Sequence, residues 1–181
     1  MSGKALVYWD SCAFIALLKG EMSHGLNVSQ ALVSQAGAFD RGQITLATST
    51  VGIGEVVAAN LNGDVADRFE SMIRRKNFLP VAVNESIARD AARLRSHCYQ
   101  RAKAHATGEP HILTMPDAIH VVTAMRLEAD VLITLDINNK NVEVKRRELG
   151  MAEVSRFYPV PDLHSISIQL PTLGQPGTEL F

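Results

Sequence analysis

Short apolar runs alternate with stretches of helical period along this chain. Ala5–Trp9 is continuously apolar and bounded by polar residues, the pattern of a buried strand. Apolar positions 13, 14, 15, 17 and 18 then predict a helix over Ser11–Lys19, with Gly20 as its stop. A second helix is predicted at 24–36 and a second strand at 44–48. Ser49 or Thr50 caps a helix running to about 61, and Asn62-Gly63-Asp64 breaks it. Residues 65–75 form an amphipathic helix with a basic end, and 79–83 a third strand. Asn84 caps a long helix at 85–104. A loop with Gly108 and Pro110 leads to a helix at 116–127, with Pro116 in its first turn, and a strand at 131–135. A short helix is expected at 138–149 with Gly150 as its cap, and an edge strand at 154–157. From Pro159 onward the tail holds four prolines, at 159, 161, 171 and 176, and is expected to be irregular.

Apolar strands separated by helices imply a parallel sheet covered on both faces. A length of 181 residues favours one domain with a substantial core. Apolar residues make up 46% and charged residues 20%, ordinary for a globular protein. The first apolar run is too short for a signal peptide or a membrane span, so a cytoplasmic protein is expected. Cys12 and Cys98 belong to no metal-binding spacing and read as reduced thiols.

The net charge of −1 excludes a globally basic nucleic-acid binder, but the charge is unevenly spread. Nine Lys or Arg between Arg68 and Lys103 face only Glu70, Glu85 and Asp90. From charge alone a solvated helical face is the simpler reading, with a surface for a polyanion beside it.

Four carboxylates stand in apolar surroundings: Asp10, Glu55, Asp117 and Asp136. A carboxylate near a core must be paired or bind a cation. Each has an ordinary reading: Asp10 as a helix cap, Asp117 as a helix-start residue, Glu55 as a buried partner of an arginine, Asp136 as a turn residue. Together they suggest more. In a parallel sheet, ligands bind at the carboxyl ends of the strands. Asp10 and Asp136 each follow a strand, and Glu55 and Asp117 lie near the starts of helices at the same edge. Four converging carboxylates would hold a hard divalent cation.

The matching pieces are Val7-Tyr8-Trp9-Asp10-Ser11-Cys12-Ala13-Phe14, Glu55 in its apolar helix, and Pro116-Asp117-Ala118-Ile119-His120 through Ile133-Thr134-Leu135-Asp136. On these residues the chain resembles PIN-domain ribonucleases, and among them the VapC-type toxins of toxin–antitoxin pairs. The resemblance covers roughly residues 5–157, leaving 158–181 as a Pro-rich tail rather than a separate domain.

It implies a three-layer α/β/α sandwich around a mainly parallel sheet of four or five strands. It also implies RNA cleavage at an acidic pocket that binds Mg²⁺ or Mn²⁺. The acids carried over are Asp10, Glu55, Asp117 and Asp136, with Ser11 and Thr134 as supporting hydroxyls. Asp10 and Asp136 are expected as direct ligands, with Asp117 and Glu55 acting through water or a second ion. Arg74, Arg75, Arg93 and Arg101 are candidates for the RNA backbone. A small antitoxin and a homodimer are the implied partners.

The chain departs from the family where Asn138 and Asn139 replace the aromatic residue that often follows the last acid. Asn138 is a candidate for contact with metal-bound water or a phosphate, beside a plain turn role. His120 lies one turn after Asp117, and a core or supporting histidine is the simpler reading than a catalytic base. A Mg²⁺-dependent phosphatase is an alternative, but Asp10-Ser11-Cys12 lacks the usual Asp-x-Asp. A catalytically inactive PIN-like interaction module is the non-enzymatic alternative.

Overall fold

The computed structural model describes residues 3–105, 110–138, 140–143 and 146–175. Asn139, Gly108 and Pro176 lie outside the described residues. Five strands form one parallel sheet: β1 (Ala5–Trp9), β2 (Ile44–Ser49), β3 (Phe78–Val81), β4 (Val131–Ile133) and, late in the chain, β7 (Ile168–Gln169). Their spatial order is β3-β2-β1-β4-β7. The crossovers are α1 (Ser11–Lys19) and α2 (Leu26–Asp40), α3 (Thr50–Ala58) and α4 (Gly63–Ile73), then α5 (Glu85–His105) and α6 (Met115–Arg126).

The period of two along β1 divides the core. Val7 and Trp9 face one side with Phe14, Leu32, Phe39 and Phe69, from α1, α2 and α4. Tyr8 faces the other side with Leu94, Val121, Val122 and Met125, from α5 and α6. The layers are therefore helix, sheet, helix, as expected. Trp9 keeps its indole N–H satisfied by donating to Gln35 Oε1 at 2.9 Å. Between α5 and α6 the buried Asp90 is bonded by both Arg93 and Arg126, so its charge is compensated. No helix among the described residues is long and apolar enough to cross a membrane.

Three expectations fail, each for a local reason. Residues 138–149 hold an antiparallel hairpin, β5 (Lys140–Glu143) and β6 (Arg146–Glu148), instead of a helix. Val142-Glu143-Val144 alternates with period two and is β-branched, a strand signal that outweighs the helix-forming Lys, Arg and Glu around it. Residues 154–157 belong to a 3-10 helix, Met151–Phe157, whose buried Met151 and Val154 are three apart, rather than to an edge strand. The Pro-rich tail is not irregular throughout. Ile166, Ile168 and Leu170 alternate with polar residues, and Ile168–Gln169 pairs with β4 as the sheet's edge.

The loop after β4 is clamped from behind. A Cβ on Gly150 would stand 2.7 Å from the carbonyl carbon and oxygen of Asn138 and 2.9 Å from its nitrogen. Backbone cannot yield there without shifting residues 136–138. Gly150→Ala is therefore expected to destabilise the protein by about 1–3 kcal/mol in denaturant titration. Wild-type stability in that variant would show that the loop moves freely.

Candidate active site

Asp10 leaves β1 at its carboxyl end and caps α1, accepting from Ala13 N at 3.0 Å. It is 3% exposed. The Cys12 thiol donates to its two oxygens at 2.9 and 3.0 Å, and the Thr134 hydroxyl donates to Oδ2 at 2.6 Å. Burial pushes the Asp10 carboxyl above the ordinary carboxylate range, and these donors only partly offset it. The Cys12 thiol is itself held protonated, first by burial and then by the charge of Asp10. Its sulfur also accepts from Leu135 N at 3.1 Å, so it stitches α1 to the loop after β4.

Thr134 connects two of the acids. While donating to Asp10, its oxygen accepts the backbone N–H of Asp136 at 2.9 Å. Asp136 Oδ2 accepts from Met151 N at 3.2 Å. The buried Oδ1 faces the Lys140 ammonium at 2.6 Å and takes no other hydrogen bond among the described residues.

Asp117 sits in the first turn of α6, where Thr114 is the N-cap. The Thr114 hydroxyl donates to Asp117 Oδ2 at 2.5 Å. Asp117 is pushed above the ordinary range chiefly by burial, and the negative charges of Asp136 and Asp10 add to the rise. Asp10 and Asp136 are therefore close enough for their charges to act on Asp117.

Glu55 enters differently. Its Oε2 lies 3.0 Å from His120 Nε2, and Ser11 gives it a second hydrogen bond. The bond from His120, followed by that from Ser11, holds Glu55 below its ordinary value despite partial burial. The partner of this acid is thus a histidine rather than an arginine. His120 Nδ1 meets the Tyr8 hydroxyl at 3.0 Å, and that hydroxyl accepts from Ser49 N at 2.9 Å. Burial pushes the Tyr8 phenol up to about 12, so it keeps its proton. His120 Nε2–H donates to Glu55. Gly52 makes this approach possible, because a Cβ there would stand 2.6 Å from Thr48 Oγ1 and 2.8 Å from His120 Cε1.

The remaining candidates are placed elsewhere. Asn138 is exposed, and its backbone rather than its amide meets Gly150. Arg74 pairs with Glu70 at 3.2 Å and Arg75 with Asp40 at 3.1 Å. Arg93 pairs with Asp90 and Asp162, and Arg101 is exposed on α5. The sequence reading missed Tyr8, Cys12, Thr114 and Lys140 as parts of the site. Thr114 was detectable as a capping residue three positions before Asp117, and Lys140 as a cation four positions after Asp136. Tyr8 and Cys12 carried no such signal.

The donors suit a hard cation: all are carboxylate oxygens, and an ammonium already stands against Asp136 Oδ1. Among the described residues, no three His, Cys, Asp or Glu side chains have closed ligating geometry. Mg²⁺ takes only one or two direct carboxylates and keeps several waters.

The PIN domain family model matches residues 7–145 of this chain. No curated protein matches it. Among solved structures it is similar to VapBC2 from Rickettsia felis, bound to a DNA fragment from their promoter. The identity is 11% and the TM-score 0.53, covering 91% of this chain and 97% of that chain. It is also similar to Mycobacterium tuberculosis VapC20, a Sarcin-Ricin loop cleaving toxin. There the identity is 12% and the TM-score 0.47, covering 73% of this chain and 91% of that chain.

The raised carboxyls have a consequence for stability. Asp10 and Asp117 bind their protons more tightly folded than unfolded. Their contribution is present at acid pH and lost as pH rises from the ordinary Asp value through the folded one. Glu55 has the opposite sign and loses its contribution as pH falls. Asp117→Asn should raise the melting temperature of the metal-free protein by a few degrees at neutral pH. The gain should vanish at a pH where both raised acids are protonated. An unchanged or lower melting temperature at neutral pH would contradict this.

Proposed function

The chain belongs to the PIN domain family, and from that premise we propose that it is a Mg²⁺- or Mn²⁺-dependent endoribonuclease that hydrolyses RNA phosphodiester bonds. The observation that carries the reading is the gathering of acids around Asp117. Asp117 is pushed up first by burial, and the charges of Asp136 and then Asp10 at the carboxyl edge of the sheet add to the rise, a cost that a shared cation lowers. A bound ion would supply an acidified, oriented water and a counter-charge for the leaving oxygen.

Asp10 and Asp136 are the proposed direct ligands, held in register by the Thr134 hydroxyl. Asp117, oriented by Thr114, holds a metal-bound water or completes a second site. Glu55, oriented by His120 and Ser11, stays ionised and serves the same role from the other wall. Lys140 occupies the side of Asp136 that a cation would take, so it must swing away on loading.

The Rickettsia felis VapBC2 likeness supports a narrower version, in which this chain is the toxin of a toxin–antitoxin pair. Its partners would then be a small antitoxin protein and a second copy of the chain, and it would act in the cytoplasm.

RNA cleavage with Mg²⁺ or Mn²⁺ tests the main reading. Asp10→Asn and Asp117→Asn should each lower the rate by about 100-fold or more. Equal rates in the wild type and both variants would sink it. Removing the ion with EDTA should abolish cleavage and leave the fold intact by circular dichroism. Lys140→Met should tighten Mn²⁺ binding about threefold in calorimetry, the modest gain expected on losing a half-exposed competing cation. Weaker binding would instead make Lys140 a support of the site.

A further inference from the structure

Arg74, Arg75 and Arg93 already face carboxylates, so their charges are committed locally. Arg95 is differently placed. It lies on the same helix as Arg93 but is partly buried, and its Nε donates to the Leu113 carbonyl at 2.7 Å. That bond fixes the plane of the guanidinium, and its terminal nitrogens have no partner among the described residues. A guanidinium anchored this way presents a pre-aimed fork, the geometry that suits phosphate oxygens.

The fork opens on a cavity of about 290 Å³, lined also by Ile112, Thr114, Met115, Arg147 and Glu148. Two guanidinium groups and one carboxylate line it, and the anchored fork of Arg95 is the group that favours an anion there. The first turn of α6, capped by Thr114, adds its positive dipole end. Ile112 and Met115 are 42% and 37% exposed and offer an apolar face on which a base can rest. Thr114 is the shared wall: its hydroxyl also holds Asp117. The volume is near the lower end for ligand sites and suits one nucleotide.

We propose that this cavity binds the nucleotide next to the scissile phosphodiester of a single-stranded RNA, with Arg95 contacting its phosphate. The inference rests on the endoribonuclease reading and names where that substrate runs. It moves the RNA path away from α4 and onto the junction of α5, α6 and β6.

The test is fluorescence anisotropy with a labelled single-stranded RNA in EDTA, so that no strand is cut, across a salt series. Arg95→Met should weaken binding about tenfold and reduce the slope of log K against log salt by about 0.7, one phosphate contact on a single strand. Its Mn²⁺ affinity by calorimetry should stay at the wild-type value, which separates lost RNA contact from a disturbed acid cluster. Arg147→Met, which leaves the Leu113 bond in place, should weaken binding in the same direction and carries the test if Arg95→Met does not fold. Wild-type RNA binding with an unchanged slope in both variants would overturn the cavity while leaving the nuclease reading intact. Loss of slope in Arg74→Met instead would place the RNA over α4 and also overturn it. If the wild type neither binds nor cuts RNA, the nuclease reading fails and this one with it.

Discussion

One hydroxyl, that of Thr134, ties together the two aspartates that follow neighbouring strands. It donates to Asp10 and accepts from the backbone of Asp136. It can do both because β1 and β4 pair in parallel with Trp9 opposite Ile133, so the residues after each strand meet at the same edge. A register slip of one residue would turn Thr134 to the other face and separate the acids. One arm of the site attaches to this pair. Cys12 bonds both Asp10 and the loop carrying Asp136, while Met151 and Gly150 fix that loop from the far side.

The second arm is a buried polar chain from Ser49 through Tyr8 and His120 to Glu55. It crosses the sheet from β2 to β1 and then passes between α6 and α3. Its consequence is that the four acids are not equivalent. Glu55 is made comfortable as an anion, whereas Asp10 is made uncomfortable by burial and Asp117 by burial and by the charges of Asp136 and Asp10. A cation therefore stabilises most where the aspartates are, and least at Glu55.

The cost of the arrangement falls on stability. Like charges are retained here without full pairing, one buried in Asp10 and one half-buried in Asp117, in contrast to the buried Asp90, which is met by two arginines. Within one chain, the paired carboxylate joins two helices and the under-paired ones gather at the sheet edge. That contrast locates chemistry more firmly than the number of acids does.

Much of the fold was legible in the sequence. Apolar runs of strand length gave β1 to β4, and helical periodicity with caps at Ser49 or Thr50 and at Asn84, and Pro116 in a first turn, gave the helices between them. The hairpin after Asp136 and the tail strand were misread, because charged residues and prolines drew attention from a period of two. The four acids were visible because a carboxylate beside an apolar run is unfavourable whatever the fold, and short-range pattern is enough to reveal it. Their partners were not visible. Glu55 meets His120 across 65 positions, Asp10 meets Thr134 across 124, and Tyr8 meets His120 across 112. Only parallel pairing and the close approach at Gly52 bring such residues together, and spacing along the chain carries no record of them. The sequence determined which residues needed a partner; the tertiary structure decided which partner each received, and so which acids remain under-compensated.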